Sequence, residues 1–268
     1  MKRYERFGRL SVSIRAAVAT VTINNPDTRN AIDRETHGEL ENIWPVLADD
    51  ERVRAIVLTG AGNTFSMGGD INAMAERAGT AAGLRHSLRL PAMTRRLFSN
   101  LLDTPQPIIA AVNGHAIGLG ATLALFADIC VIAESAKFGD THVNVGLVAG
   151  DGGAVIWPLL IGPARAKELL MRAQLLRGQE VVAMGLAHHL APADQVLARA
   201  TELAEELAAK PPLAVQWTKL IVNRGIRAQM EIALDAGIAF EMMTMNSRDH
   251  AEAARAIVEK RPPSFEGG

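Results

Sequence analysis

An uncharged apolar run near the middle of the chain constrains its fold most strongly. Residues 108–127 contain no Asp, Glu, Lys or Arg, and a run of that length is typical of a membrane span. Asn113-Gly114-His115 interrupts it with polar and flexible residues, and Gly118 and Gly120 would weaken a continuous helix. We therefore predict that residues 107–133 form the buried centre of a soluble domain, as a strand, a glycine turn, a helix and a second strand.

The glycine turn Gly118-Leu119-Gly120 lies where the first predicted strand gives way to the helix. Glycine lets the backbone approach a ligand closely, and the first amides of a helix have no partner inside it. Such a turn can bind an anion or a developing oxyanion. A tight turn that only packs explains the same residues. A dinucleotide fingerprint fits less well, because the G-x-G-x-x-G spacing fails at Leu123.

Composition narrows the class of protein. A chain of 268 residues that is 49% hydrophobic and 21% charged is large enough for one domain, or for one domain with a helical appendage. The single Cys130 excludes an intrachain disulfide and a cysteine zinc site. A net charge of −1 gives no overall field that would attract nucleic acid or anionic lipid. The first residues lack the apolar core of a secretion signal, so we expect a cytoplasmic location.

One arrangement occurs twice along the chain. A predicted strand ends at Thr59 and a glycine-rich loop leads to a helix from about Asp70; a second strand ends at Val112 and a loop leads to a helix from about Gly118. Sequential units of this kind tend to stack side by side. The two loops could therefore present two backbone amides to one site.

Other segments complete the predicted fold. Residues 10–14 and 18–23 predict a hairpin, and Asp33 is expected to cap a helix over 33–48. A helix is predicted over 84–102, with Arg85, Arg89 and Arg96 on one face: a solvated or subunit-contact face, or else a phosphate- or RNA-binding stripe. We predict short strands at 137–139 and 143–145 and a third glycine loop at 148–153, before the segment 154–161. The pattern is helical from Pro163 onward, with helices over 164–172, 179–184, 193–209, 213–227, 230–246 and 249–260.

Ordered motifs from about residue 10 to residue 266 resemble the crotonase superfamily, the enoyl-CoA hydratase/isomerase family. Arg29-Asn30-Ala31-Ile32 resembles the family's segment at the CoA nucleotide, and the segments at 65–71 and 113–120 are similar to its two oxyanion loops. The resemblance implies an α/β fold, a crotonase-like spiral of ββα units over residues 1–200, with a C-terminal helical trimerisation region over 201–268. It also implies an acyl-CoA thioester substrate and no permanently bound cofactor, with coenzyme A entering as part of the substrate.

The resemblance also implies site residues. The oxyanion donors would be the backbone amides of Gly69 and Leu119, which could stabilise a thioester enolate. The positions carried over to CoA binding are Arg29, Ala31, Met67, Asp70, Ile71 and Lys260. Asp70 fits a helix N-cap better than a catalytic acid. No metal is expected, because His188-His189 lies in a short apolar stretch and no H-E-x-x-H motif occurs.

The sequence departs from the family at the paired glutamates that hold water in its hydratases. Thr122 stands at the first position and His142 at the second, in a segment that we expect to continue as a strand. His142 and Asp151 remain as candidates for proton transfer. A buried, hydrogen-bonded histidine and a loop-capping aspartate explain the same two residues. His115 is a further histidine that could face the pocket.

Several functions fit this sequence. A hydratase-like lyase on acyl-CoA is the family's usual activity, while double-bond isomerisation and thioester or C–C hydrolysis suit a site without the glutamates. A CoA-thioester-binding protein without turnover and an RNA-binding member are the other classes. We expect a homotrimer or hexamer that does not associate with membranes. Its leading partner would be the acyl-CoA thioester substrate, and binding of nucleic acid is not expected.

Overall fold

The computed structural model describes residues 2–268, which form two β-sheets surrounded by helices. The strands are β1 (Leu10–Arg15), β2 (Val18–Ile23), β3 (Ala55–Gly60), β4 (Thr64–Ser66), β5 (Ile108–Val112), β6 (His115–Ile117), β7 (Ile129–Ala133), β8 (Lys137–Gly139), β9 (Leu176–Arg177) and β10 (His189–Ala191). The helices are α1 (Arg34–Ala48), α2 (Ile71–Arg77), α3 (Ala81–Ser87), α4 (Leu90–Asp103), α5 (Leu119–Phe126), α6 (Gly153–Ile161), α7 (Pro163–Met171), α8 (Gly178–Ala183), α9 (Val196–Ala208), α10 (Pro212–Thr244) and α11 (Arg248–Glu259).

The larger sheet has the order β1-β2-β3-β5-β7-β10. β1 and β2 form the expected hairpin, with Leu10 opposite Ile23, and the pairs that follow are parallel. Every residue of β3 and β5 is buried. A parallel strand that is covered on both faces must be apolar throughout. The uncharged run is therefore the sheet centre that the sequence predicted, divided among β5, β6 and α5.

The smaller sheet has the order β4-β6-β8-β9. Its first three strands each follow, within a few residues, a strand of the larger sheet: β4 follows β3, β6 follows β5, and β8 follows β7. A helix comes after β4 and after β6, so the chain repeats a ββα unit as predicted. Because β4 and β6 are parallel neighbours, the loops that follow them emerge side by side.

Two helical predictions were wrong in detail. The helix predicted over 84–102 is divided into α3 and α4, because Pro91 stands in the first turn of α4 and cannot continue a preceding helix. The two helices predicted over 213–227 and 230–246 are one helix of 33 residues, α10. The intervening Ala228 and Gln229 are good helix formers, so nothing in that segment ends the helix.

The strand β10 was not predicted. It pairs in parallel with β7 and closes the larger sheet, although the three residues His189–Ala191 are too short to show a strand pattern. The preceding His188 accepts a hydrogen bond from the Cys130 amide at Nδ1. Cys130 is buried, and burial raises the pKa of its thiol to about 12.

The last three helices pack against different parts of the core. α9 contacts β3 and β5, α10 contacts α4 and α6, and α11 contacts α2. The predicted division at residue 200 falls inside α9. Within residues 2–268, no helix is both long and apolar enough to cross a lipid bilayer.

The loops after β4 and β6 pack directly onto each other. A Cβ atom on Gly68 would lie 2.6 Å from the Ile117 carbonyl oxygen, and one on Gly120 would lie 2.8 Å from the Ser66 side chain. Gly68 also has a φ of +78°. These contacts leave no room for a side chain at either position.

We predict that Gly68→Ala destabilises the protein far more than Gly62→Ala. Both residues have a left-handed backbone, with φ of +78° and +71°, but a Cβ on Gly62 meets nothing within 4 Å. Gly62→Ala should therefore cost only the backbone strain, about 1 kcal/mol, and Gly68→Ala about 3 kcal/mol or more because the loops must separate. Urea unfolding of the two variants measures the difference, and equal losses would contradict the close approach.

Candidate active site

One cavity lies at the junction of the two loops, α2, α4 and the C-terminal helices. Its lining includes five of the residues that the sequence singled out: Gly69, Asp70, Leu119, His142 and Asp151. The remainder is largely apolar, with Met74, Leu90 and Met93 among its side chains. The cavity thus combines a few polar groups with an apolar wall, which is typical of a small-molecule site.

Two backbone amides in this cavity have no protein partner. Leu119 is the first residue of α5, and Gly69 directly precedes Asp70, the N-cap of α2. Within residues 2–268, neither amide donates a hydrogen bond to another protein group. Gly118 permits the turn before Leu119 with a φ of 54°. Each amide is therefore available to an oxygen atom in the cavity.

The loop that carries Gly69 is held by the loop after β2. Ser66 Oγ donates to the Asn30 carbonyl at 2.8 Å and accepts from the Gly68 amide at 3.1 Å. The buried Asn30 side chain donates to the carbonyls of Ala61 and Thr64. The Ile32 amide donates to the Gly68 carbonyl at 2.7 Å. This network fixes the backbone on both sides of the Gly69 amide.

His142 connects two aspartates in the wall of the cavity. Its Nδ1 lies 2.6 Å from Asp140 Oδ1, and its Nε2 lies 3.3 Å from Asp151 Oδ2. All three side chains are buried. The two ring nitrogens face opposite directions, so an ion bound at one nitrogen could not also contact the carboxylate at the other. The three groups therefore form a hydrogen-bonded chain and do not converge on a metal.

The aspartates determine the charge of the histidine. Burial alone would lower the pKa of His142, but Asp140 and Asp151 outweigh it and raise that pKa well above the usual value of 6.5. Burial would likewise raise the pKa of Asp140, but the adjacent His142 outweighs it and the pKa is lowered. The imidazole is thus a cation between carboxylates at neutral pH.

Glu241 of α10 enters the same cavity opposite this chain. It is 4% exposed, and burial together with the negative Asp151 and Asp140 raises its pKa well above 4.5. Burial therefore favours the neutral form of its carboxyl group. Asp151 Oδ1 and Glu241 Oε2 are both buried without a hydrogen-bond partner in residues 2–268. Orphaned polar atoms of this kind cost roughly 1–3 kcal/mol each, which indicates a functional reason for keeping them.

Comparison with known proteins identifies the family of the chain. The family model described as enoyl-CoA hydratase/isomerase matches residues 13–268. A short-chain-enoyl-CoA hydratase from Clostridium acetobutylicum is 34% identical over 91% of this chain and 92% of its own length. The chain belongs to the enoyl-CoA hydratase/isomerase family.

Solved structures confirm the predicted crotonase fold. An enoyl-CoA hydratase/isomerase from Mycobacterium paratuberculosis matches with a TM-score of 0.86 at 35% identity, covering 92% of this chain and 97% of that one. Relatives with a different named activity are also similar. A 1,2-epoxyphenylacetyl-CoA isomerase from Escherichia coli is 31% identical over 95% of this chain and 97% of its own. Membership of the family therefore does not fix the reaction, because its members are named for more than one activity.

The two positions where this family member departs from the glutamate pair are structurally different. Thr122 is fully buried, donates from Oγ1 to the Gly118 carbonyl at 3.3 Å, and does not line the cavity. His142 lines it. The prediction that His142 continues a strand, with strand structure over 143–145, was wrong: His142–Val145 is a 3-10 helix, begun where Asp140 accepts from the His142 amide.

Of the other predicted residues, Asp70 lines the cavity and the rest lie outside its lining. Arg29 and Met67 are neighbours, since the Met67 amide donates to the Arg29 carbonyl, and Ala31 follows in the same loop. Ile71 begins α2 and Lys260 ends α11 as an exposed residue. His115 accepts from the Lys137 amide instead of facing the cavity. Asp70 is a helix N-cap as predicted, since it accepts from the amides of Asn72 and Ala73.

Sequence reasoning missed Asp140 and Glu241. Asp140 stands two residues before His142, a spacing at which an aspartate often bonds to the following backbone, so the sequence held a local signal for it. Glu241 had none, since it comes from a helix ninety residues beyond Asp151. Its position depends on Gly237, one turn earlier, where a Cβ would lie 3.2 Å from the Gly150 carbonyl oxygen.

We predict that His142 stays protonated at about pH 7.5, one unit above the usual histidine value of about 6.5. ¹⁵N NMR of the imidazole measures this, with His188 as the control, because burial lowers the pKa of His188 and leaves it neutral. Asp140→Asn should lower the pKa of His142. A neutral His142 in the wild type at that pH would contradict the two ion pairs.

The raised pKa of His142 also makes the stability of the folded protein depend on pH. A histidine pKa that is raised on folding stabilises the folded state fully below the unfolded value of about 6.5. The contribution is lost as the pH rises through the folded-state pKa.

Proposed function

We propose that the protein hydrates an enoyl-CoA thioester, with the thioester oxygen bound by the amides of Gly69 and Leu119. An enolate places negative charge on that oxygen, and two fixed N–H groups stabilise it without reorienting. Loss of one such donor typically raises the barrier by roughly 3–4 kcal/mol. The proposed oxyanion site is supported by the two amides, which line one cavity and donate no hydrogen bond to the protein within residues 2–268.

The observation that carries the assignment of hydration is the pair Asp151 and Glu241. Asp151 is ion-paired with His142, while burial raises the pKa of Glu241 and so favours the protonated form of that carboxyl group. Two carboxyl groups in opposite protonation states can act as base and acid in one reaction. Asp151 and Glu241 would take over the role of the family's glutamate pair, whose positions are occupied here by Thr122 and His142.

The proposed reaction proceeds as an addition across the Cα=Cβ bond. Asp151 takes a proton from water while the water oxygen bonds to Cβ, and the electrons of the double bond move onto the thioester oxygen. The enolate collapses as Glu241 gives its proton to Cα. Asp151 is then protonated and Glu241 is a carboxylate, so one proton must pass from Asp151 to Glu241 before the next turnover.

His142 and Asp140 act as positioning residues in this proposal. The imidazolium holds Asp151 Oδ2 and leaves Oδ1 free for water. Asp140 fixes the ring from the other side at 2.6 Å.

Double-bond isomerisation is the second candidate, and the similarity to a named isomerase favours it. It needs one base that moves a proton along the acyl chain, and Asp151 alone could serve. A role limited to binding acyl-CoA would leave the buried, unpartnered oxygens of Asp151 and Glu241 without a purpose.

Coenzyme A is proposed to lie outside the cavity, along the loops that hold Arg29, Ala31 and Met67. These residues are next to the backbone that leads to Gly69. Arg29 is exposed and forms no ion pair in residues 2–268, so it can meet a phosphate. Asp70 and Ile71 follow Gly69 directly and would also lie near coenzyme A. Lys260 of a neighbouring subunit is a further candidate for binding its phosphates. The cytoplasmic location also remains a proposal.

We predict that Asp151→Asn and Glu241→Gln both lower activity but differ in a second measurement. Each should lower kcat/KM for an enoyl-CoA by about 10²-fold to 10⁴-fold. Only Glu241→Gln should also abolish exchange of the Cα protons of a saturated acyl-CoA with D₂O, because the ionised form of Glu241 is the base that removes the Cα proton in the reverse of the proposed step. Glu231→Gln, an exposed change on the same helix, is the control.

Mass spectrometry of the products distinguishes the reactions. Addition of water supports hydration, and a mass-neutral product with altered double-bond position supports isomerisation. Binding of acyl-CoA without turnover in the wild type would overturn both.

We also propose a homotrimer or hexamer built on α10. This helix exposes large apolar side chains along its length: Leu213, Trp217, Ile221, Val222, Ile232, Phe240 and Met243. Exposed apolar surface of this extent is typical of an interface.

Light scattering during size-exclusion chromatography should therefore give a mass three or six times that of the chain of 28.7 kDa. Ile221→Glu should reduce it, because a charge would be buried in the interface. A monomeric wild type would contradict the assembly.

A further inference from the structure

A second cleft opens beyond the far end of the active-site cavity. Its volume is about 710 Å³, within the range of ligand sites. Four residues line both spaces and make them continuous: Arg34, Arg77, His86 and Met93. Gly69 lies at the other end of α2 from Arg77, which is roughly 10 Å away along a helix of seven residues. An acyl chain that passes along α2 would thus point into this cleft.

The cleft is lined by five arginines, Arg34, Arg77, Arg85, Arg89 and Arg96. Arg96 pairs with Glu41, which is the one carboxylate among the lining residues and also binds His37. The other four form no ion pair and donate no side-chain hydrogen bond within residues 2–268. They come from α1, α2, α3 and the residue before α4, so their convergence is tertiary.

The excess of positive charge in the cleft affects the pKa of the neighbouring His86. Burial lowers the pKa of His86, and the positive charges of the nearby Arg77, Arg34 and Arg89 lower it further. His86 is therefore a neutral hydrogen-bonding group at pH 7, and the charge of the cleft comes from the guanidinium groups.

We propose that this cleft binds an anionic group, a carboxylate, at the far end of the acyl chain. Guanidinium groups bind carboxylates through two parallel hydrogen bonds. The partly buried Arg77, at the boundary between apolar cavity and cleft, is placed to meet the group first. The substrate class is then the thioester of a dicarboxylic acid with an apolar middle. This inference rests on the proposed function.

A nucleic acid fits the same charges less well. The arginines surround a depression that joins an apolar cavity instead of lying along an open face. The net charge of −1 adds no wider field to attract a polyanion. A small anion carried on an apolar chain matches both parts of the continuous space.

The test compares acyl-CoA pairs of equal chain length, one ending in a carboxylate and one in a methyl group, over a series of lengths. At the best length, the wild type should favour the carboxylate in kcat/KM by roughly tenfold, a value kept small because most of the arginines are exposed. Arg77→Gln/Arg89→Gln should abolish this ratio. Arg95→Gln, an exposed change on α4 at an arginine paired with Asp235 outside the cleft, should preserve it.

Equal rates for both ends, or a preference for methyl, would overturn the inference and leave the proposed function intact. If neither substrate turns over, the proposed function fails. Calorimetry then tests the inference separately: tighter binding of the carboxylate-ended acyl-CoA than of the methyl-ended one supports it, and equal binding overturns it. Salt-dependent binding of RNA that the double variant loses, without any preference for the carboxylate, would assign the cleft to nucleic acid instead.

Discussion

The close contact between two backbone loops underlies every other feature of the site. Gly68 packs onto the Ile117 carbonyl, and Gly120 packs onto Ser66, at distances that exclude any side chain. Parallel pairing of β4 with β6 sets this approach. Because each loop begins or precedes a helix, the approach brings two uncommitted amides to one cavity. The larger sheet supplies the rigid support, with two strands that are buried on both faces.

The charged part of the site uses a different principle. Asp140, His142 and Asp151 are buried, and each would be costly alone, since an isolated charge in an apolar interior loses its hydration. Together they form a chain in which the histidine carries a positive charge between two carboxylates. Glu241 lines the same cavity, where burial raises the pKa of its carboxyl group and favours the neutral form. The four groups form one electrostatic unit, in which changing any member alters the others.

The sequence predicted much of the fold and part of the site. The hairpin, the buried sheet centre, the two glycine loops and the Asp33 and Asp70 caps followed from local patterns, because period, capping residues and glycine all act within a few residues. The break at Pro91 and the continuity of α10 through Ala228 were misjudged, although both are also local. The strand β10 could not be predicted, since its three residues are ordered mainly by pairing with β7.

The sequence by itself determined which groups are present: two glycine-flanked amides, Thr122 and His142 at the positions of the family's glutamates, Asp151, and a row of arginines. Only the tertiary structure decided how they combine. Glu241 meets Asp151 because Gly237 lets α10 approach Gly150, and the arginines of four segments surround one cleft. Such meetings depend on the packing of segments far apart in the chain, and a pKa depends on neighbours that only packing supplies.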